Sequence, residues 1–350
     1  MNIEADARRL IQEALRVGVS DVHILPEKQT YVIYLRINGR LERLRQESLE
    51  WGKRLISYFK FLANMDVGEK RKPQSGAAHL EIEGCNLEMR FSTITNVLLL
   101  ESLVIRLIRQ HKQIATRVQT YFPKDIEVLR RLVRRKSGLL LFSGPVGSGK
   151  TTTIYQLLRE RMASDTMQVI TMEDPVEIYE ESFLQTEVNE RAGITYDALI
   201  KASLRHHPDI LMIGEIRDSQ TARMVIRGAL TGHLMIATIH AKNVRGVIAR
   251  LQELGVSDEQ LRQTLIGVVS QRLVPRFCVQ CAGVCNKACT VLAVEAKRYA
   301  LLEILVGSAL QQVAGQGQQV AAYQTLNEKL RKAWAYGYID TATFEHFEVE

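Results

Sequence analysis

The 350-residue chain contains no apolar run long enough to cross a bilayer. Its longest, such as Val97 to Leu100 and Ile210 to Ile213, fall far short of the ~20 residues a spanning helix needs. It also lacks the start of a secretory signal, since Glu4 and Asp6 stand where a basic stretch should precede an apolar one. The expected location is therefore the cytosol, with any membrane attachment made through partners or surface charge. Aromatic residues are scarce, at 6%. No basic stripe interleaved with rings is present to stack nucleic-acid bases, so direct nucleic-acid contact is not expected despite a net charge of +7. That excess is spread along the chain. Only Arg130 to Lys136 is dense, and it reads as a solvated helix face or a contact surface. Of five cysteines, Cys85 stands alone and four crowd between Cys278 and Cys289, which in a cytosolic protein favours a metal or inert thiols over disulfides. No internal repeat or low-complexity tract occurs.

What is present, 46% hydrophobic and 24% charged residues, describes a globular protein with room for two domains. Residues 1–110 read as a small α+β domain. Ile3, Ala7, Leu10, Ile11, Ala14 and Leu15 share a helical face that Gly18 ends. Tyr31, Ile33, Leu35 and Ile37 alternate as in a strand, Asn38-Gly39 supplies a tight hairpin turn, and Arg40 to Arg45 returns. A helix from about Glu50 to Asn64 follows, then a second hairpin turning at Glu83-Gly84, then a strand through Leu103 to Ile108. Residues 111–124 form the linker. From 125 to 350 short apolar strands alternate with helical stretches: Leu139 to Phe142, Val169 to Met172, Ile210 to Ile213 and Leu234 to Ile239. That pattern indicates an α/β domain with a parallel sheet covered on both faces, ending in the cysteine-rich segment 278–289 and further helices.

Gly144-Pro145-Val146-Gly147-Ser148-Gly149-Lys150-Thr151 matches the phosphate-binding pattern in full, with a strand before it and a helix from Thr152 after it. Glycines let backbone N–H groups turn toward phosphates and the helix N-terminus adds partial positive charge. Lys150, solvent-facing while the loop is empty, reaches the β/γ oxygens, and the Thr151 hydroxyl ligates Mg²⁺. ATP is thus the expected substrate. About 60 residues on, Asp209 to Glu215 is an apolar strand ending in a carboxylate that can hold the Mg²⁺ shell or polarise the attacking water. Glu173, Asp174 and Glu177 follow another strand, and His240 closes a fourth. Taken singly, the first is a charged loop and the second a structural histidine. Parallel strand tips converge on one crevice, however, where open α/β sheets bind ligands.

In this order the segments resemble the Walker A, Asp box (Glu173 to Glu177), Walker B (Gly214 to Asp218) and His box (Gly232 to His240) of one family. It is that of the ATPases of type II secretion, type IV pilus and competence systems. Gln271-Arg272-Leu273 before the cysteines, Ser20-Asp21-Val22-His23, Arg36 to Gly39, and Met65 to Gly76 are similar to it as well. The resemblance implies a PAS-like N-terminal domain joined to a RecA-like P-loop ATPase domain, working as a homo-hexamer. Catalytic roles carry over to Glu173, Glu215 and His240, and sensor roles to Arg90 and Arg106, with Arg36 in the same strand pattern. The short N-terminus and the wording Ala237-Thr238-Ile239-His240 are most similar to the competence pseudopilus motors of Gram-positive bacteria.

That implies a motor powering pseudopilus assembly for DNA uptake. Its partners would be a polytopic membrane platform protein and, indirectly, pilin-like subunits, from a peripheral position on the cytoplasmic face. A type II secretion or pilus extension or retraction motor is the neighbouring alternative. A nucleic-acid-stimulated ATPase and a non-hydrolysing scaffold are alternatives from other classes. The family's zinc-binding members carry two Cys-x-x-Cys pairs far apart; here Cys278, Cys281, Cys285 and Cys289 lie within twelve residues. The first pair fits a zinc knuckle and the second a helix face, so Zn²⁺ is a possible cofactor.

Overall fold

The first helix, α1 (Ile3–Val17), is capped by the Asn2 side chain, which accepts from the N–H groups of Glu4 and Ala5. It stops at Gly18, whose φ of 73° returns the last carbonyls to backbone donors. These and the elements below come from a computed structural model that describes residues 2–37, 40–82, 85–110, 118–285, 289, 291–292, 296–315 and 323–348. The chain divides into two compact units, Met1–Ile114 with Cys285–Val294, and Ala115–Val284 with Glu295–Glu350.

In the first unit the strands are β1 (Asp21–Glu27), β2 (Thr30–Ile37), β3 (Arg40–Ser48), β4 (Gln74–Ile82), β5 (Cys85–Thr95) and β6 (Glu101–Gln110). They form one antiparallel sheet in the order β3-β2-β1-β6-β5-β4. Helix α2 (Leu49–Leu62), capped by Ser48, packs with α1 on one face. Val22, Ile24, Ile33, Leu35, Met89, Phe91 and Ile105 fill the core beneath them. Strand periodicity then sends Asp21, Arg36, Arg90 and Arg106 to the other face. The β1 strand was not anticipated, because Pro26 and polar neighbours interrupt its alternation. The turns expected at Asn38-Gly39 and Glu83-Gly84 lie outside the described residues.

The second unit starts with α3 (Pro123–Val133) and a seven-stranded sheet follows. Its strands are β7 (Gly138–Ser143), β8 (Val169–Glu173), β9 (Leu184–Glu187), β10 (Ile210–Ile213), β11 (Leu234–Ile239), β12 (Leu265–Pro275) and β15 (Arg298–Leu305). The order is β15-β12-β7-β11-β10-β8-β9, parallel throughout except for the β12–β15 pair. Between them run α4 (Lys150–Met162), α5 (Tyr196–Ser203), α6 (Ser219–Leu230), α7 (Val244–Glu253) and α8 (Asp258–Thr264); α9 (Gly307–Ala314), α10 (Leu326–Ala335) and α11 (Thr341–Phe347) end the chain. A small hairpin pairs β13 (Phe277–Cys278) with β14 (Gly283–Val284). The strands are continuously apolar because alternate residues feed two cores. Leu139 and Leu141 pack with α6 and α7 residues, and Leu140 and Phe142 with α3 and α4 residues.

All four anticipated strands are present. Missing from the expectation were β9, β12 and the antiparallel β15, since β12 carries Ser270, Gln271 and Arg272 and β15 carries Glu303 inside otherwise apolar runs. Of the expected linker, residues 111–117 lie outside the described residues. Its later part is anchored, with Gln119 and Tyr121 hydrogen-bonded to Ala300 of β15.

Candidate functional site: a phosphate loop and a carboxylate–histidine cluster

Strand β7 ends at Ser143 and the chain turns at once into the loop that opens α4. Gly144, Gly147 and Gly149 have φ of 141°, 74° and 81°, which side-chain-bearing residues adopt only at a cost. At Gly144 space is closed too, because a Cβ there would lie 2.3 Å from the Gln271 carbonyl oxygen. Gly149 is the N-cap of α4 and offers no side-chain acceptor, so the first-turn N–H groups of the helix are left for a ligand.

Lys150 does not face solvent as the sequence suggested. Its Nζ donates to the carbonyls of Gly144 (2.9 Å) and Pro145 (3.1 Å), closing the loop on itself. Burial lowers its pKa, while the nearby carboxylates of Glu215 and Glu177 pull it back up. The ammonium thus holds acceptors that phosphate oxygens can replace. The buried Ser148 hydroxyl has no hydrogen-bond partner, nor has that of Ser143 at the strand end. Orphaned donors of this kind, with the bare helix terminus and the folded-back lysine, fit a nucleotide's phosphates. Thr151, on the first turn of α4, offers the hydroxyl that would hold Mg²⁺.

A residue that sequence reasoning passed over as a bare resemblance organises this loop. Gln271, fully buried on β12, donates from Nε2 to the Ser148 carbonyl (2.7 Å) and accepts from the Thr153 hydroxyl (2.9 Å). Next to it, the Arg272 guanidinium donates to the Lys242 carbonyl and to the Gln271 carbonyl.

The tips of β8, β10 and β11 bring the other polar segments together. Ile213 pairs with Met172 on one side and Ala237 on the other, so Glu173, Glu215 and His240 follow one, two and three residues beyond the same row. Glu215 is held from two sides: His240 Nε2 lies 3.2 Å from Oε1 and Arg217 Nε donates to Oε2 (2.8 Å). Arg217 also reaches Asp174 (2.8 Å), so one guanidinium links the carboxylates of two of the anticipated segments. The hydrogen bond to Glu215 raises the Arg217 pKa further.

Glu173 is 4% exposed and accepts from the Tyr155 and Thr171 hydroxyls, Tyr155 being bonded in turn by Gln185. Burial raises its pKa, against the lowering effect of those two donors. Asp218 caps α6 through Thr221, and His233 sits at the opposite end of β11 from His240.

In the first unit, register aligns Arg36, Asp21, Arg106 and Arg90 across four neighbouring strands: Asp21 pairs with Arg36 and Arg106, and Arg106 with Arg90. Arg106 Nε donates to Asp21 (3.1 Å) and Arg90 Nε to Glu88 (2.9 Å). Directly opposed like charges disfavour a sheet pair unless an anion shares them. Both arginines line an open hollow of about 600 Å³ with Ser75, Gly76 and Ser92. On the same face the half-buried His23 has an Nε2 without a hydrogen-bond partner.

The four clustered cysteines come together where the β13–β14 hairpin folds. Their sulfurs all lie within 4.8 Å of one another, Cys278 and Cys285 buried, Cys281 and Cys289 half-buried. A tetrahedral ion with bonds of about 2.3 Å needs sulfurs about 3.8 Å apart, which this cluster can meet by small adjustments. The helix expected between Cys285 and Cys289 falls on residues 286–288, outside the described residues.

Residues 1–342 match the family described as "Type II/IV secretion system protein". The chain is 39% identical over 349 residues to "Competence protein ComGA" of Bacillus subtilis, covering 99% of this chain and 98% of that one. It is 41% identical to the protein of the same name from Halalkalibacterium halodurans, covering 97% of each. Among solved structures, the ATPase DotB of Legionella pneumophila superposes with a TM-score of 0.72 at 20% identity, over 97% of this chain and 94% of that one. No helix among the described residues is long and apolar enough to cross a membrane.

Proposed function

Because the chain belongs to the type II/IV secretion system protein family, we propose that it is an ATP-hydrolysing motor subunit that drives assembly of a competence pseudopilus for DNA uptake. The observation that supports the chemistry is Glu215 gripped by His240 and Arg217, with its charge raising the pKa of Lys150 against the effect of burial. Nucleotide phosphates take over from the loop carbonyls as acceptors for Lys150 and engage the Ser148 hydroxyl and the α4 N-terminus. Glu215 polarises the attacking water, and His240 and Arg217 orient it. Glu173, whose pKa burial raises, is a further group for proton transfer. Thr151 would hold a magnesium ion, with Glu215 as a further carboxylate for it, and the ion would supply charge neutralisation to the nucleotide. Arg90 and Arg106 add charge to the phosphates in the working ring.

The family context supports a homo-hexamer. It also supports a peripheral position on the cytoplasmic face of the membrane, where the ring would act on a platform protein and through it on pilin-like subunits. The four thiols suit a structural zinc that pins the 278–289 stretch.

The test is phosphate release and nucleotide binding by Glu215→Gln and Lys150→Ala. The first should bind ATP and hydrolyse it at least ~10²-fold more slowly, since an amide accepts a hydrogen bond but takes no proton. The second should release no phosphate. Ordinary turnover in both would remove the strand-tip site from the mechanism.

A further inference from the structure

The turn between β5 and β6 is built against the usual economics of a protein surface. Val97, Leu98 and Leu99 are 97%, 67% and 58% exposed, and Ile94 just before them 61%. Leu99 also adopts φ 59°, a conformation that glycine takes without penalty and leucine does not. The turn is nonetheless well made. The Asn96 carboxamide oxygen accepts from the N–H groups of Leu98 and Leu100 (2.9 Å each), and the Asn96 N–H donates to the Leu100 carbonyl (2.9 Å). An ordered, strained apex that displays consecutive large apolar side chains is a binding device, because neither folding nor solubility selects it.

Cations stand next to it. The Thr95 hydroxyl donates to the Lys70 carbonyl, which places Lys70, Arg71 and Lys72, all exposed, against the base of the turn. The acids of that loop spend their oxygens inward: Asp66 accepts from the N–H groups of Gly68 and Glu69, and Glu69 from those of Arg71 and Lys72. On the same loop Val67 opens a shallow groove with Phe61, which is 74% exposed, flanked by Lys53 and Arg54. The buried Lys60, next to Phe61, ties α2 to this loop through the Glu69 carbonyl (2.6 Å).

We propose that this apex is a lipid-contacting element: Val97, Leu98 and Leu99 enter the interfacial zone of an anionic bilayer while Lys70, Arg71 and Lys72 meet its phosphates. The arrangement distinguishes lipid from a protein partner. The apolar groups sit on a turn apex rather than a flat patch, and exposed cations adjoin its base, a pairing that suits an anionic headgroup layer over an apolar one. Each cation near such a surface strengthens binding by about fivefold. Several copies in a ring multiply a contact that is weak in one chain. The inference rests on the peripheral membrane position proposed above but not on the nucleotide chemistry.

Vesicle co-sedimentation of the full chain tests it, with phosphatidylcholine alone or mixed with phosphatidylglycerol. Phosphate release and the elution volume are measured on the same samples. Binding should require the anionic lipid. It should fall at least ~10-fold in Val97→Asp/Leu98→Asp, and by a similar factor in Lys70→Glu/Lys72→Glu, with turnover in solution and elution unchanged. Either variant binding anionic vesicles like the parent chain would overturn the proposal. So would a change in oligomer size with vesicle binding intact, which would make the apex a contact between subunits. Loss of turnover in the parent chain would instead count against the ATPase reading and leave the vesicle result to be judged separately.

Discussion

Gln271 is where the structure makes its most exacting demand on the phosphate loop. Its amide joins the Ser148 carbonyl to the Thr153 hydroxyl in a fully buried setting, at 2.7 and 2.9 Å. Replacing it by leucine keeps the volume and removes both bonds. Thr153 retains its bond to the Gly149 carbonyl (3.0 Å), so the group stranded is the Ser148 carbonyl. A stranded buried acceptor costs ~1–3 kcal/mol. Most of that penalty can be escaped only if the loop opens, away from the shape that receives phosphate. A loss of about 1.4 kcal/mol is tenfold in affinity, so KM for ATP should rise roughly 5- to 150-fold in Gln271→Leu.

Gln271→Glu sharpens the test. A carboxylate would set oxygen against the Ser148 oxygen. A protonated carboxyl reproduces the original pattern, donating to Ser148 and accepting from Thr153. Nucleotide affinity of that variant should therefore recover as pH is lowered from 8 to 5.5, a trend the leucine variant cannot show. Binding isotherms for a fluorescent ATP analogue across that range, with urea unfolding alongside, decide the matter. Affinities within twofold of the parent in both variants, with unchanged stability, would refute the brace.

Glu303 offers a second reading in pH. Burial lifts its pKa from 4.5 to about 7, opposed by the Val244 N–H and by Arg272. The folded state thus holds the proton more tightly than the unfolded chain, so charging this group destabilises the fold above about pH 7 and the penalty fades toward pH 4.5. Glu303→Gln should gain up to ~3 kcal/mol at pH 8 and little at pH 5, read from urea midpoints; an equal gain at both pH values would count against it. Elemental analysis of protein purified without chelator should find one zinc per chain, lost in Cys278→Ser, and a metal-free folded parent would remove that assignment. Arg106→Ala and Arg90→Ala should lower kcat at least ~10-fold with nucleotide affinity within about threefold, since a guanidinium serves developing charge; an affinity loss matching the rate loss would instead make them ground-state binders.

The phosphate loop, the four central strands and the order of their polar tips were legible in the sequence because each is a local signal. A glycine at positive φ, a lysine at the start of a helix or a doubly buried strand leaves its mark within a few residues. So did α1 and its stop at Gly18. Strand β12 was not legible, because the Gln271 that interrupts its apolar run is buried against a loop and helix more than a hundred residues earlier. Nor was the posture of Lys150, whose Nζ the loop satisfies with the carbonyls of Gly144 and Pro145.

Tertiary structure alone decided which polar residues meet. Arg217 is exposed and lies beyond the strand it follows, and only the parallel register of β8 and β10 puts it between Glu215 and Asp174. Arg36, Asp21, Arg106 and Arg90 lie up to 85 positions apart in the chain, and antiparallel pairing makes them one row. Composition and periodicity carry information about burial, which each residue expresses alone. Hydrogen bonds and charge pairs belong to two residues at once, and the chain acquires them when register is set.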